Sequence, residues 1–274
     1  MSIMPVKKVN EIVNLFGSPA LKNLNSFSEL GKNKAIQKKA MQNLEAIDPV
    51  QANTGLGILY AYENNLPLSL EAFKKAYIFS GHGLIESIHY ANAEFRYGDQ
   101  SIGISIYLDL IEKKNLADEV LRNIILSFTT YLYLSELDLI LQNQKVAGLV
   151  NEILKIEIFD AKMILNFLHK NHISVEYYRK LRRLPDYVFN KYYTTPTKIL
   201  NEKILNLHRN EMSISFILPA YPNQLYGNDL LSKINDELQL LIFDLNKEFN
   251  VSSSSPEDLI TVFFSVEDVI EGVA

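Results

Sequence analysis

The sequence predicts a mainly α-helical protein, in which antiparallel helical hairpins stack in series and end in a small C-terminal β-α-β module. Three observations carry that prediction. Over about the first 205 residues, apolar side chains recur at three- and four-residue spacing between short polar connections. The stretch from Asn53 to Gly81 matches the chain again at a shift of 34 residues. Beyond Met212 the pattern changes to two short alternating apolar runs on either side of one long helical stretch.

Taken in order, helices are expected near Pro5–Phe16, Lys34–Ala46, Thr54–Asn64, Leu68–Phe79, Leu84–Tyr97, Ser101–Lys113, Ala117–Leu132, Glu136–Glu152, Ile158–His169 and Val175–Leu184, with short further pieces to Leu207. The tail offers a strand over Ser213–Leu218, a helix over Asn228–Phe249 capped by Asn228 or Asp229, and a strand over Leu259–Val266. Pro219, Pro222 and the run Ser252–Ser255 punctuate it. The expected organisation is a helical repeat-like domain over residues 1–209 and a small α/β module over residues 210–274. So small a module must cover its apolar faces and sheet edges, against the helical body or against a second copy in a homodimer.

Composition narrows the class. With 47% hydrophobic residues in 274, the chain can bury a substantial core. It has no cysteine, which excludes disulfides and thiolate metal sites. Lys7 and Lys8 precede an apolar run that polar residues interrupt, and no run approaches the roughly 20 residues of a membrane helix. A cytoplasmic protein without a membrane partner is the expectation. The net charge of −5 is uneven: residues 1–165 carry −2, residues 166–209 carry +6 and residues 210–274 carry −9. The basic and acidic segments are expected to face each other within the fold.

The 34-residue shift sets Gly57 on Ala91, Ser69 on Gly103, Phe73 on Tyr107 and Leu56 on Tyr90. Small residues meet small ones and bulky residues meet bulky ones. A further shift reaches Ile124 and Leu141 but puts Ile125 and Leu137 on the small positions, so the third copy is degenerate. Two helices approach closely where each offers a small residue, so Gly57 should face Ser69, and Ala91 should face Gly103.

At these residues the chain resembles the tetratricopeptide repeat and the related Sel1-like repeat. The family's first-helix pattern is matched by Leu56, Gly57 and Tyr60, and its second-helix pattern by Ser69, Phe73 and Ala76. In the next copy Tyr90, Ala91, Gly103 and Tyr107 fit, with Gly98 at the turn. Asn53, Glu94 and Leu110 depart from it, and the closing proline is absent at Gly81 and Asn115. The likeness covers about residues 53–144. It implies a non-catalytic adaptor, chaperone or regulator whose concave surface takes a protein or peptide. The lining residues it implies are Thr54, Ile58, Ala61 and Tyr62, then Ile88, Asn92, Phe95 and Arg96, then Arg122, Leu126, Thr129 and Thr130.

The chain offers little chemistry for catalysis. His169 and His172 lie three apart but lack the spacing of a zinc helix, and His82 and His89 with Glu86 read as structural. Ser80–Gly83 lacks the preceding strand and the lysine of a phosphate loop. Pairs such as Asp109 with Glu112, or Glu267 with Asp268, read as solvated charge. No reaction, metal or cofactor is expected. The alternative to protein binding rests on Val175–Tyr193, where Arg179, Lys180, Arg182 and Arg183 alternate with tyrosines. Such a segment suits phosphates and unpaired bases, although a pI near 5.6 is far from that of dedicated nucleic-acid binders.

Overall fold

The computed structural model describes residues 27–113, 116–192, 201–205, 211–218, 228–252 and 255–266, so the helix expected at Pro5–Phe16 lies outside the described residues. The chain is mainly helical. In order come α1 (Phe27–Leu44), α2 (Pro49–Tyr62), α3 (Leu66–Phe79), α4 (Leu84–Tyr97), α5 (Gln100–Lys113), α6 (Asp118–Thr130), α7 (Leu134–Ile140), α8 (Gln144–Gly148), α9 (Glu152–Lys170) and α10 (Val175–Tyr192). They are followed by β1 (Asn201–Leu205), β2 (Met212–Leu218), α11 (Asn228–Glu248), a 3-10 turn (Pro256–Leu259) and β3 (Ile260–Val266).

Two compact units make up the chain: Met1–Leu121 with Asn190–Thr197, and Arg122–Phe189 with Lys198–Ala274. The division falls inside α6, whereas the sequence places a boundary near residue 209. In the first unit each helix packs on its chain neighbour, from α1 on α2 through to α4 on α5. Met41, Leu56, Leu59, Tyr62 and Ala72 form one apolar cluster, and Phe73, Tyr90 and Ala93 another. Local chemistry starts the helices: the Asp48 carboxylate accepts from the Gln51 amide at 3.0 Å, and Pro49 and Pro67 occupy first-turn positions where a missing N–H costs nothing.

Helix ends repeat one device. Asn64, Gly81, Leu132, His172 and Asn250 each have positive φ, between 55° and 63°, just after a helix. In each case the following amide bonds back to a carbonyl five residues earlier, as from Asn65 to Tyr60, His82 to Tyr77, Tyr133 to Phe128, Ile173 to Leu168 and Val251 to Asn246. That is the left-handed C-terminal cap, which reverses the chain in two residues and satisfies carbonyls the helix leaves open.

In the second unit the expected helix Glu136–Glu152 is instead two short ones, because Asn143 accepts from the amides of Lys145 and Val146 and starts a new helix. α10 runs beyond Leu184, where the sequence reading stops it, and contains Pro185. Tyr177, Tyr178, Leu181, Val188 and Phe189 are buried at helical spacing on both sides of the proline, so continuous core packing outweighs one lost hydrogen bond.

The β-α-β module forms as read, within two residues at each end of its elements. β2 and β3 pair in parallel, with Met212 beside Ile260 and Leu218 beside Val266. β1 is a correction: the segment read as helical pieces toward Leu207 contains a strand antiparallel to β2, with Asn201 beside Ile217. The order is β1-β2-β3. Ile234, Leu238 and Leu245 of α11 are buried. The Asn235 carboxamide accepts from the Phe264 amide at 2.7 Å and donates to its carbonyl at 3.0 Å, while Gln239 donates to the Val262 carbonyl at 3.0 Å. Helix side chains thus take the backbone groups along the side of β3 away from β2.

Candidate functional site: a cleft on the first unit

The helix crossings in the first unit are those the 34-residue register selects. The Ser69 hydroxyl donates to the Gly57 carbonyl at 2.8 Å. It also shares a 2.7 Å bond with the Tyr97 hydroxyl. A methyl group on Gly57 would meet the Phe73 ring at 2.6–2.9 Å, and one on Gly103 would meet the Ala91 carbonyl at 2.9 Å. Both contacts are too close for a side chain, so the absence of Cβ sets the helix spacing.

Two departures from the repeat pattern have local explanations. Asn53 is buried and donates to the Pro49 carbonyl at 2.8 Å. Glu94 is also buried, and its carboxylate accepts from the Asp99 amide at 2.7 Å, which holds the start of α5. Gly98 leaves room for it, since a methyl there would overlap the carboxylate oxygen. Asp99 in turn accepts from the amide and hydroxyl of Ser101, at 2.9 and 2.6 Å.

This framework positions a cleft of about 520 Å³ lined by Lys74, Tyr77 and Ile78 of α3, Tyr90 of α4, and Ser101, Ile102, Ser105 and Ile106 of α5. Its volume falls within the range of ligand sites. The Tyr77 and Tyr90 rings meet at 5.2 Å, and His82 stacks on Tyr77 at 4.2 Å as part of the chain reversal after α3. Burial pushes both tyrosine pKa values up, so the hydroxyls stay protonated near neutrality. Beside the cleft, Lys113 pairs with Asp109 near Tyr77, whereas Lys75 pairs with Glu71 at 2.8 Å on the side of α3 toward Tyr60. Ile78, Phe79 and Ile85, which flank the α3–α4 turn, are more than half exposed.

The structure divides the residues drawn from the repeat resemblance. Thr54, Tyr62, Phe95 and Thr129 are buried and belong to the core, not to a lining surface. Thr54 and Thr129 turn their hydroxyls back to the carbonyls of Val50 and Ile125. Ile58, Ala61, Ile88, Arg96, Arg122, Leu126 and Thr130 are half-buried, and Asn92 is exposed and accepts from the Tyr107 hydroxyl. Arg122, Leu126, Thr129 and Thr130 lie in the second unit, the rest in the first.

The basic segment turns inward within the second unit. The Arg179 guanidinium donates to the carbonyls of Tyr131 and Leu132, at 2.9 and 3.2 Å, and stacks 3.7 Å over the Tyr133 ring. It closes the C-terminal end of α6. Lys180 pairs with Glu248 of α11, and Arg182, 5% exposed, lies 5.2 Å from the Phe216 ring of β2. Arg183 is half-buried. Tyr177 donates to Asn246 at 2.8 Å and meets Phe249 edge-on at 5.4 Å. Basic and acidic segments therefore meet through Lys180 and Glu248 at the surface of the second unit, while Arg179 and Arg182 are taken up by backbone carbonyls and an aromatic ring.

Among the described residues, no three His, Cys, Asp or Glu side chains are grouped to hold a metal ion, and no helix is long and apolar enough to cross a membrane. No family model, curated protein or solved structure matches the chain.

Proposed function

We propose that this is a non-catalytic helical-repeat protein that binds a segment of another protein, with α2–α3 and α4–α5 as successive repeats and α6–α7 as a shortened third. The observation that carries the reading is the open cleft between α3 and α5, where three isoleucines and two tyrosine rings surround a few hydroxyls. Such a surface suits an apolar anchor residue with hydrogen-bonding partners around it. The register of helix starts supports the repeat: Leu66, Gln100 and Leu134 open α3, α5 and α7 at equal intervals of 34 residues.

Selection of a displayed random-peptide library on the full chain tests it, with Ile78→Asp and Ile102→Asp as comparators. Peptides selected on the parent should bind each variant at least tenfold more weakly, a loss of about 1.4 kcal/mol. Failure to enrich any sequence, or equal binding to the variants, would reject the cleft as the site.

A further inference from the structure

Both histidines of the first unit sit in the α3–α4 hairpin, and each lies flat on an aromatic ring of α3. His82 covers Tyr77 at 4.2 Å with the planes 5° apart, and His89 covers Phe73 at 5.5 Å with the planes 7° apart. Tyr77 in turn meets Tyr90, the residue after His89, at 5.2 Å. The tyrosine wall of the cleft is thus continuous with both imidazoles. His82 is exposed at the turn, whereas His89 is half-buried within α4.

The surroundings of His89 suit a neutral imidazole and not a charged one. Phe73 cannot withdraw from it, because the ring already fills the space that a side chain on Gly57 would take. A ring face is a weaker partner for a cation than water is. Glu86, one turn earlier on α4, folds back over the start of the helix, where a methyl group on Gly83 would lie 2.5 Å from its oxygen. There it meets the positive end of the helix dipole. Among the described residues, no carboxylate makes an ion pair with His89. Lys74, beside Phe73 in the chain, lines the cleft. The other titratable groups around Phe73 are the hydroxyls of Tyr77, Tyr90 and Tyr97, whose pKa values burial raises, and α2 and α5 contribute Ile58 and Ile106. Desolvation accordingly holds the His89 pKa below its ordinary value of 6.5, against the smaller pull of Glu86.

We propose that His89 makes the α3–α4 hairpin an acid-sensitive latch: the neutral imidazole seals it, and uptake of a proton loosens α3 from α4, so that the cleft releases its bound segment in mild acid. Release rests on the cleft being the binding site; the loosening of the hairpin does not. As pH falls the unfolded chain takes up this proton first, because its histidine has the higher pKa. The stability that neutral His89 confers is therefore complete above about pH 6.5 and is lost as pH falls through that value toward the folded pKa.

Proton NMR and urea melts of the full chain, between about pH 7.5 and about pH 5, provide the test. The ring signals of Tyr77 and Tyr90 should move with the midpoint of His89, and the urea midpoint should fall across the range. His89→Phe keeps a flat ring on Phe73 and His89→Gln keeps a polar side chain; each should remove about half or more of that fall. His82→Asn, at the exposed turn, should leave it in place. Tyrosine signals that stay still while His89 titrates overturn the proposal, as does an equal fall in both His89 variants or a fall abolished by His82→Asn. Peptides selected on the cleft should bind the parent about threefold or more weakly at the acid end, and His89→Phe equally at both ends. If no peptide is selected, the cleft reading fails while the hairpin result stands. Equal binding at both ends, by a parent whose hairpin loosens, overturns the release step.

Discussion

At the scale of single residues, the missing side chain of Gly57 and the guanidinium of Arg179 perform comparable tasks, each setting how one segment approaches another. Gly57→Leu must displace the Phe73 ring or separate α2 from α3, and is expected to cost about 1–3 kcal/mol in urea melts. Pairing it with Phe73→Ala should recover part of that loss, which an effect of helix propensity alone would not do. Arg179→Gln removes donors from the carbonyls of Tyr131 and Leu132 and is expected to cost roughly 1–3 kcal/mol, with little dependence on salt. The Gly57–Ser69 and Ala91–Gly103 crossings were legible in the sequence because a period exposes them. Glu94 was not, since its partner is a backbone amide at the start of the next helix and leaves no side-chain pattern to read. The four lining residues that proved buried share one cause: helical spacing assigns a face, but it cannot say which of a helix's two packed neighbours covers that face.

At the scale of elements, the left-handed caps decide where helices reverse, and they do so mostly without glycine. His172 is exposed and holds φ at 56°. His172→Gly should therefore raise stability by about 1 kcal/mol, read as a higher melting temperature, while His172→Ala should not. The β-α-β elements could be read from sequence because alternation, a capped helix and turn residues agree locally. β1 could not be, because Asn201–Leu205 has little strand character of its own and owes its conformation to pairing with β2. α10 extends through Pro185 for a similar reason: burial on both sides of the proline overrides the local signal.

At the scale of the whole molecule, buried tyrosines link stability to alkaline pH. Burial raises the pKa of Tyr62 and of Tyr177 to about 12. Their folded values lie above the unfolded value of 10, so the unfolded chain loses these protons first as pH rises. Their contribution to stability should hold below pH 10 and decline between 10 and 12, by up to about 1.4 kcal/mol per pH unit for each tyrosine. Urea midpoints measured across that range should fall less steeply for Tyr177→Phe. The second unit should also depend on its C-terminal segment: a chain ending at Asn210 lacks β2, Asn246, Glu248 and Phe249, the contacts of Tyr177, Lys180 and Arg182 in α10. Hydrogen exchange should then show α10 unprotected while α2 to α5 keep their protection; equal protection of α10 in both chains would show that the tail is dispensable. The carboxamide of Asn235 has a chemical consequence as the protein ages. Deamidation would exchange its one donor group for a carboxylate oxygen facing the Phe264 carbonyl, so the slow loss of ammonia at a single side chain would set two acceptors against each other at the margin of the sheet while the Phe264 amide kept its own.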